Sequence, residues 1–468
     1  MRSRYILLTF FIGLALIAIL LVGVNAQARF LSDDVPDAPE VIEAFIPSNV
    51  DIVVAFQEGD DIVRGIHTTE PISGLNALLA ADLDVVTEEF GWGIAVCAIN
   101  GVGCQPPDPC FCDPSNSWNY RQWNNDGDFW QDPGVGASDT LISAGAVEGW
   151  RWDNWDAPET LPPAPIMVSV SNALDWLKLK QNTVTGGYDS MSSSVEVLLA
   201  TGSNQHRAAD WRQTSYTVPL SDYFITGNRS APYSNKTVAE SGKLAVGFAA
   251  ADLCIPALTK TPADYYSPTL GTYSSHSGFN AWGMLGTQSM SETLPSTAIT
   301  QLKDSVKQDG GWEWNQGFGS DTNTTALVIE TLISAGEPPT STLILNALDY
   351  LKAAQNDDGG FPYDPDSPYG TDSDTNSTAY VTQAIYAVGQ DPITGTWVIS
   401  GTNPIEFIQS MQLENGSFEW MPGYGENLLA SAQSIPALLG LPYPLQQRIV
   451  DSCPTIFMPQ VYSAIVDE

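Results

Sequence analysis

Residues 308–336 read QDGGWEWNQGFGSDTNTTALVIETLISAG, and residues 355–389 read QNDDGGFPYDPDSPYGTDSDTNSTAYVTQAIYAVG. The two stretches share one plan. A glutamine precedes an acidic turn, a Gly-Gly-aromatic triplet and a variable loop; Asp-Thr-Asn then opens an apolar segment that stops at glycine. Asp321 and Asp374 each stand 15 residues ahead of that closing glycine, Gly336 or Gly389. Such self-similarity marks stacked supersecondary units, none of which can bury its apolar face alone. Gly186-Gly187-Tyr188 and the variant Asn415-Gly416-Ser417-Phe418 extend the array in both directions.

Outward from this repeat, helical patterns alternate with Gly-rich loops from Met167 onward. Ser169–Lys180, Ser296–Val306, Leu343–Ala354 and Pro404–Met411 keep Lys and Asp on one stripe. Met191–Ala200, Leu244–Leu253, His276–Leu285, Thr324–Ala335, Ser377–Val388 and Leu428–Leu439 are more continuously apolar, as helices buried on most sides are. The reading is an outer and an inner ring, an all-α (α/α)6 toroid over residues 167–445. These motifs resemble the squalene-cyclase, protein-prenyltransferase and transcobalamin superfamily. The resemblance implies the toroid and leaves activity open, because one fold hosts many chemistries. Residues 203–275 are rich in Tyr, Ser and Asn and show little periodicity, so the hairpin boundaries within that stretch are left open.

A small, mainly β domain is expected over residues 49–155, making the chain multidomain. Val50–Phe56 reads as a strand with Asp61–His67 as its hairpin partner. Leu75–Ala81 reads as a short helix, and Gly91–Ala98 as strand signal turning at Asn100-Gly101. Trp118–Trp123, Phe129-Trp130 and Ala146–Trp152 supply further strands. The order "SGLNALLAADLDV", "GWGIAVCAINGVGC", "SWNYRQWNNDGDFWQDPGVGASDTLISAGAVEGWRW" resembles the small β-domain of the transcobalamin family. The Cys-rich insertion 97–112 departs from that pattern. Residues 156–166 read as a linker, and 446–468 as a C-terminal tail.

Arg2 and Arg4 precede an apolar run, Ile6–Val24, so residues 1–28 read as a signal peptide. The run is also near the ~20 residues of a spanning helix, which makes an uncleaved anchor the alternative. Residues 29–48 form an acidic tether. Either way the folded part is expected outside the cytoplasmic membrane, secreted or held at the surface. Fifty-four acidic residues against eighteen basic ones give a formal charge of −36. Such a surface repels phosphate backbones and anionic membranes, which excludes nucleic acid as a partner class. Membrane contact is expected only through an uncleaved N-terminal segment. With export, Cys97, Cys104, Cys110, Cys112, Cys254 and Cys453 read as disulfide candidates. A zinc site needs Cys-x2–4-Cys spacing or neighbouring histidines, and the tightest pair here is Cys110-x-Cys112.

Asp321 and Asp374 admit two readings. Asp before an apolar helix is a cap signature: the carboxylate accepts orphan amide hydrogens and opposes the dipole. Alternatively both helix starts face the toroid mouth. Asp321, Asn323, Asp374 and Asn376 then ring a pocket with Trp314, Phe318, Tyr363 and Tyr369, and Glu426-Asn427 is the next rim position. The transcobalamin resemblance implies the second, with a corrinoid between toroid and β-domain. Asp364 to Gly370 is oxygen-rich but departs from a calcium loop in its glycine position, so Ca²⁺ stays a candidate beside a solvated acidic loop. The Gly-Gly-aromatic turns read as structural, with Gln308 or Gln355 bonding the freed backbone. The sequons at Asn323 and Asn376 fall inside the caps.

The leading expectation is an exported small-molecule-binding protein, its ligand a corrinoid, another amphipathic molecule or a glycan. The alternatives are a terpenoid-cyclase-like enzyme, a glycan-cleaving enzyme using paired carboxylates, and a structural or adhesive surface module without ligand. No catalytic residue and no metal ligand is assigned, and cofactors are none beyond these candidates. Asp372-Ser373-Asp374-Thr375 lacks the last Asp of the cyclase acid motif.

Overall fold

The computed structural model describes residues 50–445 except 57–61, 67, 69–70, 82, 125–128, 144–145, 155–163, 227–228, 254–257 and 259. The expected targeting segment, tether and tail therefore lie outside the described residues, as do Cys254, Cys453 and His67.

The first part is built from β1 (Val50–Ala55), β2 (Ile62–Ile66), β3 (Ile72–Ser73), helix α1 (Gly74–Ala80), β4 (Val85–Phe90), β5 (Gly93–Ile99), β6 (Val102–Gly103), β7 (Ser117–Asn124), β8 (Phe129–Gln131), β9 (Leu141–Ile142) and β10 (Ala146–Asp153). Its main sheet has the order β2-β1-β10-β7-β8, with β1 parallel to β10 and the other pairs antiparallel. Strand β1 is buried along its whole length because alternate residues serve two cores. Val50, Ile52 and Val54 pack with Leu75 and Leu78 of α1. Val53 and Ala55 instead join Val63 and Val147 in the core of the helical part. The turn expected at Asn100-Gly101 is present, both residues at positive φ between β5 and β6. Strand β4 and the two-residue strands β3 and β9 had no reading from the sequence.

Cys97 bonds Cys110, and Cys104 bonds Cys112. The disulfide reading of these four holds. Among the described residues, the only His/Cys/Asp/Glu group close enough to share an ion is Glu88 with Cys97 and Cys110, and both sulfurs are spent in a disulfide.

The helical part runs through α2 (Ala164–Lys180), α3 (Met191–Ser203), α4 (Leu220–Ile225), α5 (Ser230–Ser234), α6 (Val238–Ala250), α7 (Ser277–Ser289), α8 (Ser296–Asp304), α9 (Thr322–Ser334), α10 (Thr342–Ala354), α11 (Thr375–Ala387), α12 (Pro404–Ser410) and α13 (Leu428–Leu438). Helices α3, α6, α7, α9, α11 and α13 each pack on the next, and α13 packs on α3, so the inner ring closes. The outer layer departs from a regular (α/α)6 scheme. Helices α2, α8, α10 and α12 hold outer positions, whereas the described residues of 204–276 supply, besides the inner ring's α6, only the short α4 and α5 and a 3-10 turn, Pro262–Tyr265. Prolines there lack the N–H a helix interior needs.

The Gly-Gly-aromatic turns are structural, as read. Gly359 sits at φ +86°, and a Cβ there would lie within 3 Å of the Asn403 backbone. Trp312, Phe361 and Phe418 are fully buried. Their backbone N–H groups donate to the hydroxyls of Thr325, Thr378 and Ser431 (2.9, 3.0 and 2.8 Å), tying each turn to its own inner helix. Gln355 Nε2 donates to the carbonyls of Gly359 and Trp397, and Gln412 Nε2 does the same to Gly416 and Ser169. Gln308 is out of register. Lys307 N–H to Gly311 matches Asn356 N–H to Gly360, so Val306 holds the position of Gln355.

Candidate functional site

Five of the six inner helices begin at side-chain caps, because each first turn leaves amide hydrogens without partners; α7 starts at His276 without one. Ser190, Thr237, Asp321, Asp374 and Asn427 cap α3, α6, α9, α11 and α13. Asp321 Oδ1 accepts from Thr324 N (2.7 Å), and its Oδ2 accepts from Trp314 N (3.0 Å). Asp374 accepts from Ser377 N (2.8 Å) and Ser377 Oγ (2.7 Å). Burial pushes the Asp321 carboxyl up to about 6, against the pull of those amides, and it raises that of Asp374 as well.

The following threonine latches the next repeat. Thr322 donates its N–H to the Tyr363 carbonyl (2.9 Å) and its hydroxyl to the Pro362 carbonyl (2.7 Å). Thr375 donates in the same way to Trp420 (2.9 Å) and Glu419 (2.6 Å). Each Asp-Thr pair therefore caps its own helix and fixes an aromatic residue of the neighbouring loop.

A cavity of about 590 Å³ opens where the first turns of α6, α9, α11 and α13 converge. Counting from each cap residue, most of its helical lining falls into two layers, with Asp374, Asn427, Thr324 and Ser377 beside them. The second residue after the cap gives an upper layer: Ala239, Asn323, Asn376 and Leu429. The sixth gives a floor: Lys243, Trp282, Leu327, Tyr380 and Gln433. Loop aromatics Trp314, Tyr363 and Trp420 form the rim. Trp314 lies over Gly278, where a Cβ would stand 2.5 Å from its ring.

Of the rim residues expected from the sequence, Asn323, Asp374, Asn376, Trp314, Tyr363 and Asn427 line this cavity. Asp321 is buried as a cap and lines none of it. Phe318 and Tyr369 are 78% and 98% exposed and line none of it. Glu426 bonds Lys180 Nζ (2.8 Å) and Asn415 Nδ2 (2.5 Å), joining the last hairpin to the first outside the cavity. Lys243, Trp282, Tyr380 and Gln433 were missed.

Among the described residues, Lys243 on the floor is the one cation of the lining. Its Nζ lies 2.5 Å from Glu196 Oε1 and 5.0 Å from the centre of the Trp282 ring. Burial works to lower its pKa, but the Glu196 carboxylate and then Tyr380 outweigh it and hold the ammonium above its usual range. Asn376 Nδ2 donates to Gln433 Oε1 (2.6 Å).

The chain itself closes the far end of the ring. After α13, Tyr443 and Leu445 are buried, and Tyr443 packs on Trp282 (5.0 Å). Tyr443 N donates to Glu330 Oε2 (2.5 Å), and Gln383 Nε2 donates to the Leu441 carbonyl (2.8 Å). Among the described residues the β-domain does not cover the mouth, contrary to the expected cleft: no residue of β1–β10 lines the cavity. Strand β2 instead seats on Asn204, which caps the opposite, C-terminal end of α3.

The sequence matches no family model and no curated protein. Among solved structures, a type II terpene cyclase from Scytonema is similar at 12% identity over 59% of this chain and 97% of that chain, with a TM-score of 0.41. The ent-copalyl diphosphate synthase from Streptomyces platensis is similar at 14% identity over 53% of this chain and 50% of that one, TM-score 0.35. The Candida albicans protein geranylgeranyltransferase-I is similar at 12% identity over 57% and 83%, TM-score 0.33. At these values none bears on what this chain does.

Among the described residues no helix is long and apolar enough to cross a membrane.

Proposed function

We propose that the protein binds a small amphipathic molecule in the mouth of the helical ring and holds it without transforming it. The observation that carries this is the cavity: about 590 Å³, open at the helix starts and backed by the chain's own C-terminal segment. Aromatic walls with a few convergent amides suit a drug-sized ligand. The amides of Asn323, Asn376 and Gln433 would orient its polar end, and Trp282, Trp314 and Trp420 would contact its apolar body.

Holding is favoured over catalysis by the state of the carboxylates. Asp374 spends its oxygens on its own helix start, Asp321 divides its two between the helix start and the Trp314 N–H, and Glu196 is spent on Lys243. Glycan cleavage or alkene protonation needs a carboxyl aimed at substrate. A corrinoid is one ligand to assay, although the β-domain that was expected to cover it docks elsewhere.

The test is a titration of the purified full chain with cobinamide, cobalamin and a series of isoprenoid alcohols, read by tryptophan fluorescence and Tm. A ligand at a hundredfold excess over Kd adds about 2.7 kcal/mol of stability. Trp314→Ala and Asn376→Ala are expected to weaken binding at least tenfold. Asp374→Ala is expected to lower stability by about 1–2 kcal/mol through the lost cap and to leave affinity unchanged. Affinity lost in Asp374→Ala at unchanged stability reverses the assignment, and silence across the series leaves a ligand-free surface role.

A further inference from the structure

A second cavity, of about 510 Å³, lies within the β-domain. Trp118, Tyr120 and Trp150 line its interior, and Trp92 and Phe111 stand at its edge, 65% and 51% exposed. Large aromatic surface left in water marks an interaction site when it is contiguous. Here it is: Phe90 and Trp92 stack at 5.1 Å with 7° between planes, and Phe111 lies 5.7 Å from Phe90 and 6.3 Å from Trp92.

The platform is also rigid. Phe111 sits at φ +64°, a left-handed backbone that aromatic residues seldom adopt. Both of its neighbours are tied, Cys110 to Cys97 and Cys112 to Cys104, and Cys110 N donates to Glu88 Oε2 (3.0 Å). Strain held in place at an exposed ring points to use of that ring. Inside, the buried indole N–H of Trp150 has no hydrogen-bond acceptor among the described residues. Such orphaned donors are rare in folded proteins. Arg121 and Asp132 also line the cavity, 3.8 Å apart across a loose ion pair.

We propose that this cavity binds a neutral carbohydrate, a pyranose chain end. The flat aromatic faces would take the C–H faces of sugar rings. Arg121 and Asp132 would give and accept hydrogen bonds with adjacent hydroxyls, and a ring oxygen reaching the interior would pair the Trp150 donor. The chain's charge of −36 disfavours acidic polymers and anionic lipid headgroups. This site shares no residue with the mouth of the ring.

The experiment is calorimetric titration of the purified full chain with cellohexaose and with N-acetylchitohexaose. Saturable binding of at least one is expected, weakened tenfold or more by Trp92→Ala and by Phe111→Gly, and unchanged in Trp314→Ala at the ring mouth. Glycine suits the left-handed backbone, so Phe111→Gly removes the ring and keeps the fold; near-ultraviolet circular dichroism checks this. Absence of binding to both sugars overturns the proposal. So does equal affinity in the two β-domain variants and the natural chain, or a loss confined to Trp314→Ala. Binding to phosphatidylcholine vesicles that Trp92→Ala abolishes, without sugar binding, would overturn it in favour of a lipid-facing surface.

Discussion

Asn204 meets the backbone of Val63 as a neighbouring strand would. Its side-chain oxygen accepts the Val63 N–H at 2.9 Å, and its side-chain nitrogen donates to the Val63 carbonyl at 2.8 Å. Val63 lies on β2, the edge of the main sheet, so these groups have no strand to pair with. Both residues are fully buried. A single amide thus closes the sheet edge and fastens the β-domain to the end of α3. Arg64 Nη1 reinforces the joint by donating to the carbonyls of Val63 (2.9 Å) and Asn204 (2.8 Å).

Replacing Asn204 with leucine keeps most of the volume and removes the amide. The Val63 carbonyl retains its Arg64 donor, but the N–H is orphaned. An unsatisfied buried donor costs about 1–3 kcal/mol. Urea unfolding of Asn204→Leu is expected to show that loss, with the two parts beginning to unfold separately. A change below about 0.5 kcal/mol would mean the apolar contacts of Val53, Ala55 and Val147 hold the joint unaided.

The mouth of the ring was half legible in the sequence, and the reason is periodicity. Asp-Thr-Asn stands out as a string, so Asn323 and Asn376 were found with it. The floor residues lie six places after each cap, on the same helix face but more than a turn inside an apolar run. Leu327, Tyr380 and Gln433 differ in chemistry, so no string marks them; only the shared count from the cap does. Lys243 and Trp282 obey the same count from Thr237 and His276, in repeats without a recognisable Asp-Thr. Loop aromatics fared worse. Phe318 and Tyr369 look like Trp314 and Tyr363 in composition, but Tyr363 is held by the threonine latch and the other two are far more exposed. The β-domain's seat was not legible, because Asn204 lies in the aperiodic stretch and its bond to Val63 spans 141 residues.

The Lys243–Glu196 pair at the floor leads to a prediction with two parts. Glu196 lies on α3 and Lys243 on α6, with side chains 8% and 20% exposed. Removing one partner strands the other charge in a poorly hydrated place, which costs about 3–5 kcal/mol in buried pairs. Lys243→Met is expected to be destabilised by that order, and Glu196→Gln by somewhat less. The double variant is expected to recover most of the loss, since two neutral side chains of similar size pack without an orphan. Thermal melts of the four proteins supply the cycle. Additive losses would show that the two charges are separately solvated through the open mouth.

Asp321 gives the pH dependence its sign. Its carboxyl stands at about 6 in the folded chain, against about 3.9 when unfolded. A carboxyl raised by folding binds its proton more tightly in the folded state. Its stabilising contribution is therefore complete below about pH 4 and disappears as the pH rises through about 6. Asp321→Asn keeps a side-chain oxygen for Thr324 N but does not titrate. The stability of the natural chain relative to this variant is thus expected to fall between pH 4 and pH 7, by on the order of 2–3 kcal/mol at ~1.4 kcal/mol per pH unit. Urea midpoints at four pH values across that range read it directly. A difference that stays flat would mean that the amides of Thr324 and Trp314 compensate the burial fully. A difference of opposite slope would mean that the attraction between the charged cap and the helix dipole outweighs burial at this helix start.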